Sequence, residues 1–427
     1  MSRRINTQKR ALQLGALVAA SCLALSACGG NNDNKATSSD AGSGSGPALT
    51  GTPIKIGYGA SMSGPQASNG IAAKAVAHAW QEYTNNHGGV LGHPVQVDVV
   101  DTKNTVPGAT SVAKTFLSDD SVDAIFLTDL VAEGAMVDTF KNTPVAVISG
   151  GGSSDILWSH VPGVFQDVTG SDYTIKAYVD QAKAAGAKKF GWAACAEVAV
   201  CQENGGKAMD YAKSVGLDTS GVQLASASAT DYTAECLSYI GSKTDSIAFN
   251  IGYATGTRFA NDCLQQGYTG KFSVINSGFS QEEFNKVPGF KSAGGTNGFP
   301  WWSTAAPVKT YRDAMKKYSP DGVYSSGNST AIWSSFELFK KALENAKPAD
   351  VTRQTVMDAM FSVKDETLGG LLPEPVTFTK GQPSKPVSCN WQFTYNAGDD
   401  NPKTIAPTQT TGNNGASGDL ASNCSGY

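Results

Sequence analysis

The chain has 427 residues, 40% hydrophobic and 16% charged, a mix too apolar for a disordered polymer and long enough for two or three domains. Its 33 Lys and Arg stand against 37 Asp and Glu, with no basic stripe and no aromatic RNA-binding motif, so we expect no nucleic-acid partner. None of the four His lies in a zinc-binding spacing, and we predict no metal and no cofactor.

The first 27 residues have the pattern of an export signal. Four cationic side chains, the last at Arg10, precede an apolar run over residues 11–27. This run is long enough for the hydrophobic region of a signal peptide and short for a membrane-spanning helix. Twin-arginine export through Arg3 and Arg4 is an alternative that the following residues fit poorly. Without this segment, which holds four cations and no acid, the net charge falls from −4 to −8.

The end of the apolar run reads Leu25-Ser26-Ala27-Cys28-Gly29, which resembles the lipobox of bacterial lipoproteins. That resemblance implies cleavage before Cys28, lipidation of Cys28, and anchoring of an extracytoplasmic protein to the cell membrane. An ordinary signal peptide followed by a chance Cys is the alternative. Residues 28–52 are rich in Gly, Ser, Asn and Thr with little to bury, and we predict a flexible tether there.

Six cysteines remain once Cys22 and Cys28 are set aside. An even number in an exported chain favours disulfides, although six cysteines allow 15 connectivities. We predict that neighbours in the sequence pair, and free buried thiols are the alternative. The predicted pairs are Cys195–Cys201, Cys236–Cys263 and Cys389–Cys424.

From residue 53 onward, short β-branched or apolar runs alternate with longer stretches of helical period. This alternation predicts an α/β fold with parallel sheets covered by helices, and eight strands favour two sheets over one. The predicted strands are 54–58, 95–100, 124–127, 145–149, 189–194, 222–225, 246–250 and 272–275, with a last one near 391–395. The predicted helices are 71–83, 109–117, 131–140, 173–185, 205–215, 231–240, 256–266 and 331–345.

Ligands of open parallel sheets bind beyond the carboxyl ends of the strands. The loops at these ends are rich in Gly, Ser and Thr, small residues that let a ligand approach the backbone. Ordinary turns and helix caps favour the same residues and are the alternative reading. The loops concerned are 59–69, 128–130, 150–155, 201–204, 253–257 and 277–280.

Five short motifs keep their order and spacing over residues 53–400. They are Ile56-Gly57, Met62-Ser63-Gly64-Pro65, Gly88-Gly89-Val90-Leu91-Gly92, Ile148-Ser149-Gly150-Gly151-Gly152-Ser153 and Gly252-Tyr253. In this arrangement the chain resembles the leucine/isoleucine/valine-binding family, the type I periplasmic binding proteins of ABC transporters.

The resemblance implies two Rossmann-like lobes that are joined by three crossovers and close on a solute by bending at a hinge. Lobe one would be residues 53–168 plus 299–360, and lobe two would be residues 169–298 plus 361–427. The implied partners are a small-molecule solute and the permease and ATPase subunits of an importer. We expect a monomer.

Family contacts carried over by position depart from the amino-acid binders. Asp129 and Leu130 stand where those proteins have a hydroxyl donor, yet Leu130 cannot donate to a carboxylate and Asp129 would repel one. The acid that pairs with an α-ammonium group would fall near Ser277, where there is none, although a shifted alignment brings in Glu282 or Glu283.

A buried ion without a partner costs several kcal/mol. We therefore predict that the solute is not a plain α-amino acid but an organic molecule with apolar or aromatic surface and few charges. Branched-chain amino-acid binding is the alternative. The predicted contacts are Ser61, Ser63, Asn69, Asp129, Leu130, Gly152, Ser153, Gln202, Tyr253, Ser277, Phe279, Trp301 and Trp302, with packing at the hinge as the alternative for the two Trp.

An enzyme and a ligand-sensing lipoprotein are the two other classes of protein to consider. An enzyme is disfavoured because GxSxG, GxGxxG, Walker A and zincin motifs are absent, and Ser111-Val112-Ala113-Lys114 matches SxxK only within a predicted helix. A ligand-sensing lipoprotein of the same fold stays open, because a fold does not determine a function.

Overall fold

Two β-sheets with helices on their faces form the framework of the chain. The computed structural model describes residues 49–64, 67–129, 132–149, 155–197, 199–406, 416 and 418–424, without the side chain of Ser277. The predicted export signal, Cys28 and most of the predicted tether lie outside these residues. No helix within the described residues is long and apolar enough to cross a membrane.

The first sheet is parallel throughout, with strand order β2-β1-β3-β4-β5. Its interior strand β1 is buried along nearly its whole length, as expected where helices cover both faces of a parallel sheet. The strands are β1 (Ile54–Ala60), β2 (Val95–Asp101), β3 (Ala124–Thr128), β4 (Ala146–Ser149) and β5 (Val164–Phe165). The helices are α1 (Ala67–Asn86), α2 (Val106–Ser118), α3 (Val137–Phe140) and α4 (Asp155–His160).

The second sheet has the order β12-β11-β10-β9-β8-β6-β7, with β13 paired to β11. Strands β6 to β10 are parallel, and β11 returns antiparallel beside β10. The strands are β6 (Lys189–Cys195), β7 (Asp218–Ala225), β8 (Ser246–Asn250), β9 (Lys271–Ile275), β10 (Lys291–Thr296), β11 (Cys389–Asn396), β12 (Lys403–Ile405) and β13 (Asn423–Cys424). The helices are α5 (Ser171–Ala184), α6 (Ala199–Ser214), α7 (Thr233–Gly241), α8 (Tyr253–Gln265) and α9 (Gln281–Phe284).

Three later helices return to the first sheet: α10 (Ala306–Tyr318), α11 (Gly327–Ala346) and α12 (Arg353–Phe361). Phe336 of α11 stacks on Phe126 of β3 and on Trp80 of α1, at ring distances of 4.3 and 4.7 Å. Trp80 also donates a hydrogen bond of 2.7 Å from Nε1 to Glu337. These contacts explain why a segment more than 200 residues downstream in the sequence completes the first sheet's core.

The chain therefore passes between the sheets three times, at about residues 166–170, 297–305 and 385–388. The first and third crossings touch, because Thr169 bridges to Val387 and its hydroxyl donates to the carbonyl of Cys389 at 2.5 Å. The described residues, from 49 onward, belong to one compact unit.

One predicted boundary differs from the contacts. We expected the second lobe to resume at residue 361, but the rings of Phe361 and Phe378 pack on Phe165 of β5 at 5.0 and 4.9 Å. The hydroxyl of Ser384 donates to the carbonyl of Val164 at 2.8 Å. Phe361, Phe378 and Ser384 thus lie beside the first sheet, whereas Pro373 and Glu374 between them contact Ser422 and Ser388.

The three predicted disulfides are present. Cys195–Cys201 joins the end of β6 to the first turn of α6, Cys236–Cys263 joins α7 to α8, and Cys389–Cys424 joins β11 to β13. All six cysteines belong to the second sheet and its helices. The last pair explains why the chain's polar end is held against β11.

Several elements differ from the sequence prediction. The expected helix over 131–140 is a short 3₁₀ turn at Glu133–Ala135 followed by α3. Strands β5, β10, β12 and β13 and helices α4, α9, α10 and α12 were not predicted. In α10 the buried Val308, Tyr311 and Met315 do follow helical spacing, so the signal was present in the sequence.

Asp167 in the first crossing gives the folded protein a pH dependence. It is buried, its Oδ1 accepts a hydrogen bond of 2.9 Å from the Ser335 hydroxyl, and Oδ2 has no partner among the described residues. Burial raises the pKa of Asp167 to about 7. Between pH 4 and 7 the folded state therefore holds a proton that the unfolded chain has released, and stability falls as the pH rises.

We expect the free energy of unfolding to fall by about 2–3 kcal/mol from pH 5 to pH 8 through this one group. Urea unfolding of Asp167→Asn at both pH values should show that contribution removed. The matched control Asp210→Asn, at an exposed carboxylate, should retain it. An identical pH dependence in Asp167→Asn and the unmodified protein would contradict this account.

Candidate ligand-binding site

The carboxyl ends of strands from both sheets meet at the start of α11. A Cβ added to Gly327 would lie 2.3 Å from Thr296 Oγ1 and 2.8 Å from Asn276 Oδ1, so only glycine permits this approach. One residue later, Asn328 Nδ2 donates to the carbonyl of Asn69 in α1 at 3.5 Å. Loops that follow β1, β9 and β10 are thereby brought to one place.

On the first-sheet side, a buried polar network holds the loops after β1, β2 and β3. The Asp129 carboxylate accepts hydrogen bonds from the hydroxyl of Thr102, from Asn104 Nδ2 at 3.3 Å and from the amide of Ala132 at 3.2 Å. Asn104 Nδ2 also lies 3.3 Å from the hydroxyl oxygen of Ser61. Asp129 therefore fixes three loops relative to one another.

A second acid extends this network to β4. Glu133 accepts from the amide of Asp129 at 3.0 Å and from the hydroxyl of Ser149 at 3.2 Å. Tyr58 and Thr128 share a hydrogen bond of 2.7 Å, and burial raises the pKa of Tyr58 well above its usual value. The phenol hence stays neutral. These bonds explain why the turn at 133–135 replaces a longer helix.

On the second-sheet side, asparagines hold the loops. Asn276 follows β9 with φ of 46°, a left-handed conformation that Asn tolerates better than most residues. Its Oδ1 accepts from the amide of Asn297 at 2.9 Å, and Asn297 Nδ2 donates to Thr174 Oγ1 at 3.0 Å. The ends of β9 and β10 are in this way tied to the start of α5.

Tyr253 begins α8 and is half-buried. Burial raises the pKa of Tyr253 to about 12, assisted by the negative charges of Glu283 and Glu282. Its hydroxyl is therefore neutral at physiological pH and available as a donor.

The two acids near Tyr253 are engaged elsewhere. Glu282 accepts from the hydroxyl of Ser325, from the Ser325 amide at 3.4 Å and from the Ser280 hydroxyl at 3.2 Å. Glu283 pairs with Lys286 at 2.8 Å near the surface. Glu282 thus anchors the segment that leads into α11.

Phe279, Trp301 and Trp302 belong to an aromatic cluster with Phe393 and Tyr395. Phe279 lies 5.8 Å from Trp301 and 5.2 Å from Phe393, and Trp302 lies 5.3 Å from Phe393. The indole of Trp301 donates to Gln281 Oε1 at 2.9 Å and that of Trp302 to Thr404 Oγ1 at 2.8 Å. Both tryptophans pack at the second crossing, and a ligand contact through Phe279, Trp301 or Trp302 stays a prediction.

Two comparisons bear on this geometry. Residues 53–399 match the model of a protein family described as periplasmic binding protein. That match spans most of the chain. The chain belongs to the periplasmic binding protein family. A comparison with curated protein sequences gives no significant match.

Solved structures with the same fold support the assignment of this periplasmic binding protein to type I. A leucine-binding protein from Thermotoga maritima has a TM-score of 0.66 and 14% identity, over 83% of this chain and 98% of its own. A fatty acid ABC transporter substrate-binding protein from Thermomonospora curvata has a TM-score of 0.66 and 20% identity, over 84% and 93%. A solute-binding protein from Rhodopseudomonas palustris in complex with 3,4-dihydroxybenzoic acid has a TM-score of 0.67 and 15% identity, over 83% and 96%.

The predicted contact residues of this periplasmic binding protein fall into distinct surroundings. Ser61 and Asp129 lie in the buried network, Asn69 contacts Asn328, and Tyr253 stands at the start of α8. Ser63 and Gln202 are exposed, and the Ser63 amide donates to Asp101 Oδ1 at 3.2 Å. Leu130, Gly152, Ser153 and the side chain of Ser277 lie outside the described residues, so those contacts stay predictions.

Several residues at the strand ends were not predicted: Thr102, Asn104, Glu133, Asn276, Asn297 and Asn328. The amide oxygens of Asn104, Asn297 and Asn328 are buried and have no hydrogen-bond partner among the described residues. The signal for Asn328 was its position just after Ser326, which caps α11 by accepting from the Asn328 amide at 3.3 Å.

We predict that Asp129 holds the loops even without a ligand. Asp129→Ala leaves the Thr102 hydroxyl, Asn104 and the Ala132 amide without their acceptor and should lower the free energy of unfolding of the ligand-free protein by about 2–4 kcal/mol. Asp120→Ala, at an exposed carboxylate 3.6 Å from Arg353, is the control and should cost less than about 1 kcal/mol. Equal losses in the two variants, measured by urea unfolding, would contradict the anchoring role.

Proposed function

We propose that this chain is the solute-binding lipoprotein of an ABC importer and captures a small organic solute that is not a plain α-amino acid. The solute would bind between the two lobes and pass to the permease unchanged. Family membership and the meeting of strand ends from both sheets at α11 support this proposal. No chemical step is needed, and the chain is not proposed to be an enzyme.

The lobes would close at the hinge when the solute binds between them. Among the described residues, the chain passes between the sheets at these three crossings, and bending there would move one lobe relative to the other. A solute that contacts both lobes favours the closed arrangement by the difference between its affinities for the closed and open forms. In this proposal Asn69 contributes from the first lobe, Tyr253 from the second, and Asn328 from the junction at α11.

The proposed ligand class rests on one observation: the carboxylates near the meeting point already accept hydrogen bonds from the protein. An α-ammonium group needs a carboxylate partner in a closed site, since an unpaired buried ion costs several kcal/mol. Of the described acids beside the meeting point, Asp129 is held by Thr102, Asn104 and Ala132, and Glu282 by Ser325 and Ser280. Both already serve to fix loops.

Neutral polar groups remain for the solute. Tyr253 offers a phenol donor, and Asn297 and Asn328 offer buried amide oxygens. Such groups fix the orientation of a ligand that carries hydroxyl, carbonyl or amide groups on an apolar body. The fold relatives named for a fatty acid and bound to dihydroxybenzoic acid are in keeping with that class.

Isothermal titration of the purified protein, stripped of ligand by unfolding and refolding, tests the ligand class. We expect binding within a panel of aromatic acids, fatty acids and neutral amides, and no binding of leucine, isoleucine or valine at micromolar concentration. Tyr253→Ala should weaken the observed binding about tenfold or more, whereas Tyr253→Phe should lose only the part due to the hydroxyl. Sub-micromolar leucine binding would overturn the proposed ligand class.

Lipid anchoring at Cys28 is a separate part of the proposal. The full chain, expressed in a bacterium that processes lipoproteins, should partition into the detergent phase of Triton X-114. Cys28→Ser should move it to the aqueous phase or leave it unprocessed, while Cys22→Ser, inside the apolar run, should behave as the unmodified chain. Detergent-phase partitioning of a processed Cys28→Ser protein would contradict the anchor.

A further inference from the structure

A cavity of about 410 Å³ lies between α4 of the first lobe and α5 and α6 of the second. This volume falls within the range of about 300–1,000 Å³ that is typical of small-molecule sites. Trp158 contributes from α4, Tyr173 and Lys176 from α5, Tyr211 from α6, and Pro386 from the third crossing. None of these residues is among the contacts proposed for the transported solute.

The carboxylates around this cavity already have hydrogen-bond or ion-pair partners. Asp155 accepts from the amides of Ser171 and Asp172 at 2.8 and 3.3 Å and so caps α5 across the junction of the lobes. The carboxylate of Asp172 pairs with Lys207 at 2.7 Å. Neither carboxylate is left for a cationic ligand.

Lys176 is in a different situation. Its ammonium group lies over the ring of Tyr173 at 5.2 Å and over that of Tyr211 at 5.9 Å. It forms no ion pair within the described part of the chain. Contact with two ring faces orients the ammonium group and leaves its remaining N–H donors for an acceptor. A carboxylate is a strong acceptor for such a donor.

The residues that line the cavity favour a ligand in which an aromatic ring carries the carboxylate. Trp158 and Ile175 are buried, and Tyr173 and Tyr211 are half-buried. Tyr211 donates its hydroxyl to Asp180 at 3.0 Å, which fixes the ring. Fixed aromatic rings at a cavity wall stack well on another ring.

We propose that this cavity is a second ligand site, which binds a small aromatic carboxylate with its anion on Lys176 and its ring against Trp158, Tyr173 and Tyr211. An occupant would touch α4, α5, α6 and the third crossing together, hence both lobes.

The test uses the purified mature protein labelled with ¹⁵N, with the indole signal of Trp158 assigned through Trp158→Phe. Benzoate is the probe, benzamide the uncharged analogue and acetate the analogue without a ring. We expect benzoate to shift the Trp158 signal in a saturable manner and to bind more tightly than either analogue. Lys176→Met should weaken benzoate about tenfold, through loss of a charge-assisted hydrogen bond.

Lys176→Arg keeps the cation and should retain binding, and Lys213→Met, at an exposed lysine of α6 outside the cavity, should behave as the unmodified protein. Tyr253→Ala separates this site from the solute site and should leave the Trp158 titration unchanged. Equal affinity for benzamide, unchanged affinity in Lys176→Met, or shifts confined to signals other than Trp158 would each overturn the second site. None of these outcomes depends on which solute is transported.

Discussion

Among the described residues, the two sheets form no strand pair with each other. Three short chain crossings therefore set their relative position. Parallel strands place their carboxyl ends on one edge, so each sheet has an edge where loops and helix starts gather. The crossings bring the two edges together, and the start of α11 marks the meeting point because Gly327 lets its backbone approach Thr296 and Asn276 closely. The proposed binding site, the proposed hinge and the junction cavity all depend on this constraint.

Acidic side chains at the meeting point hold the loops in place. Asp129, Glu133 and Glu282 each accept two or more hydrogen bonds from neighbouring loops, which satisfies their buried oxygens and aligns strand ends that are distant in the sequence. A carboxylate engaged in this way is costly to redirect toward a ligand, since its donors would lose their acceptor. In the proposed function, the same acids that hold the loops thereby narrow the class of solute.

Local patterning predicted most strands of the two sheets, whereas the ligand contacts stay predictions. Strands such as β1 and β8 are short apolar runs between helical stretches, so their period is visible in the sequence. The disulfides agree with the expectation that neighbouring cysteines pair, although the sequence allows 15 connectivities. Helix α10 has buried residues at helical spacing, but the lysines on its exposed face obscure this pattern in the sequence.

The site was harder because its contacts join distant segments. Asn69 and Asn328 are 259 residues apart, and only the crossings bring them together. The tryptophans at 301 and 302 have the composition of a ligand contact, yet their indole N–H groups bond to Gln281 and Thr404. No local pattern separates these two roles, because the partners are set by tertiary packing.

In the proposed mode of capture, two lobes close around a solute by bending at the crossings, which makes the molecule more compact. Small-angle X-ray scattering of the mature protein, first with its co-purified solute and then after removal of the solute, measures this most directly. The account predicts a larger radius of gyration for the empty protein and recovery of the smaller value when the solute is restored. An unchanged radius of gyration, with solute binding verified by native mass spectrometry, would contradict it.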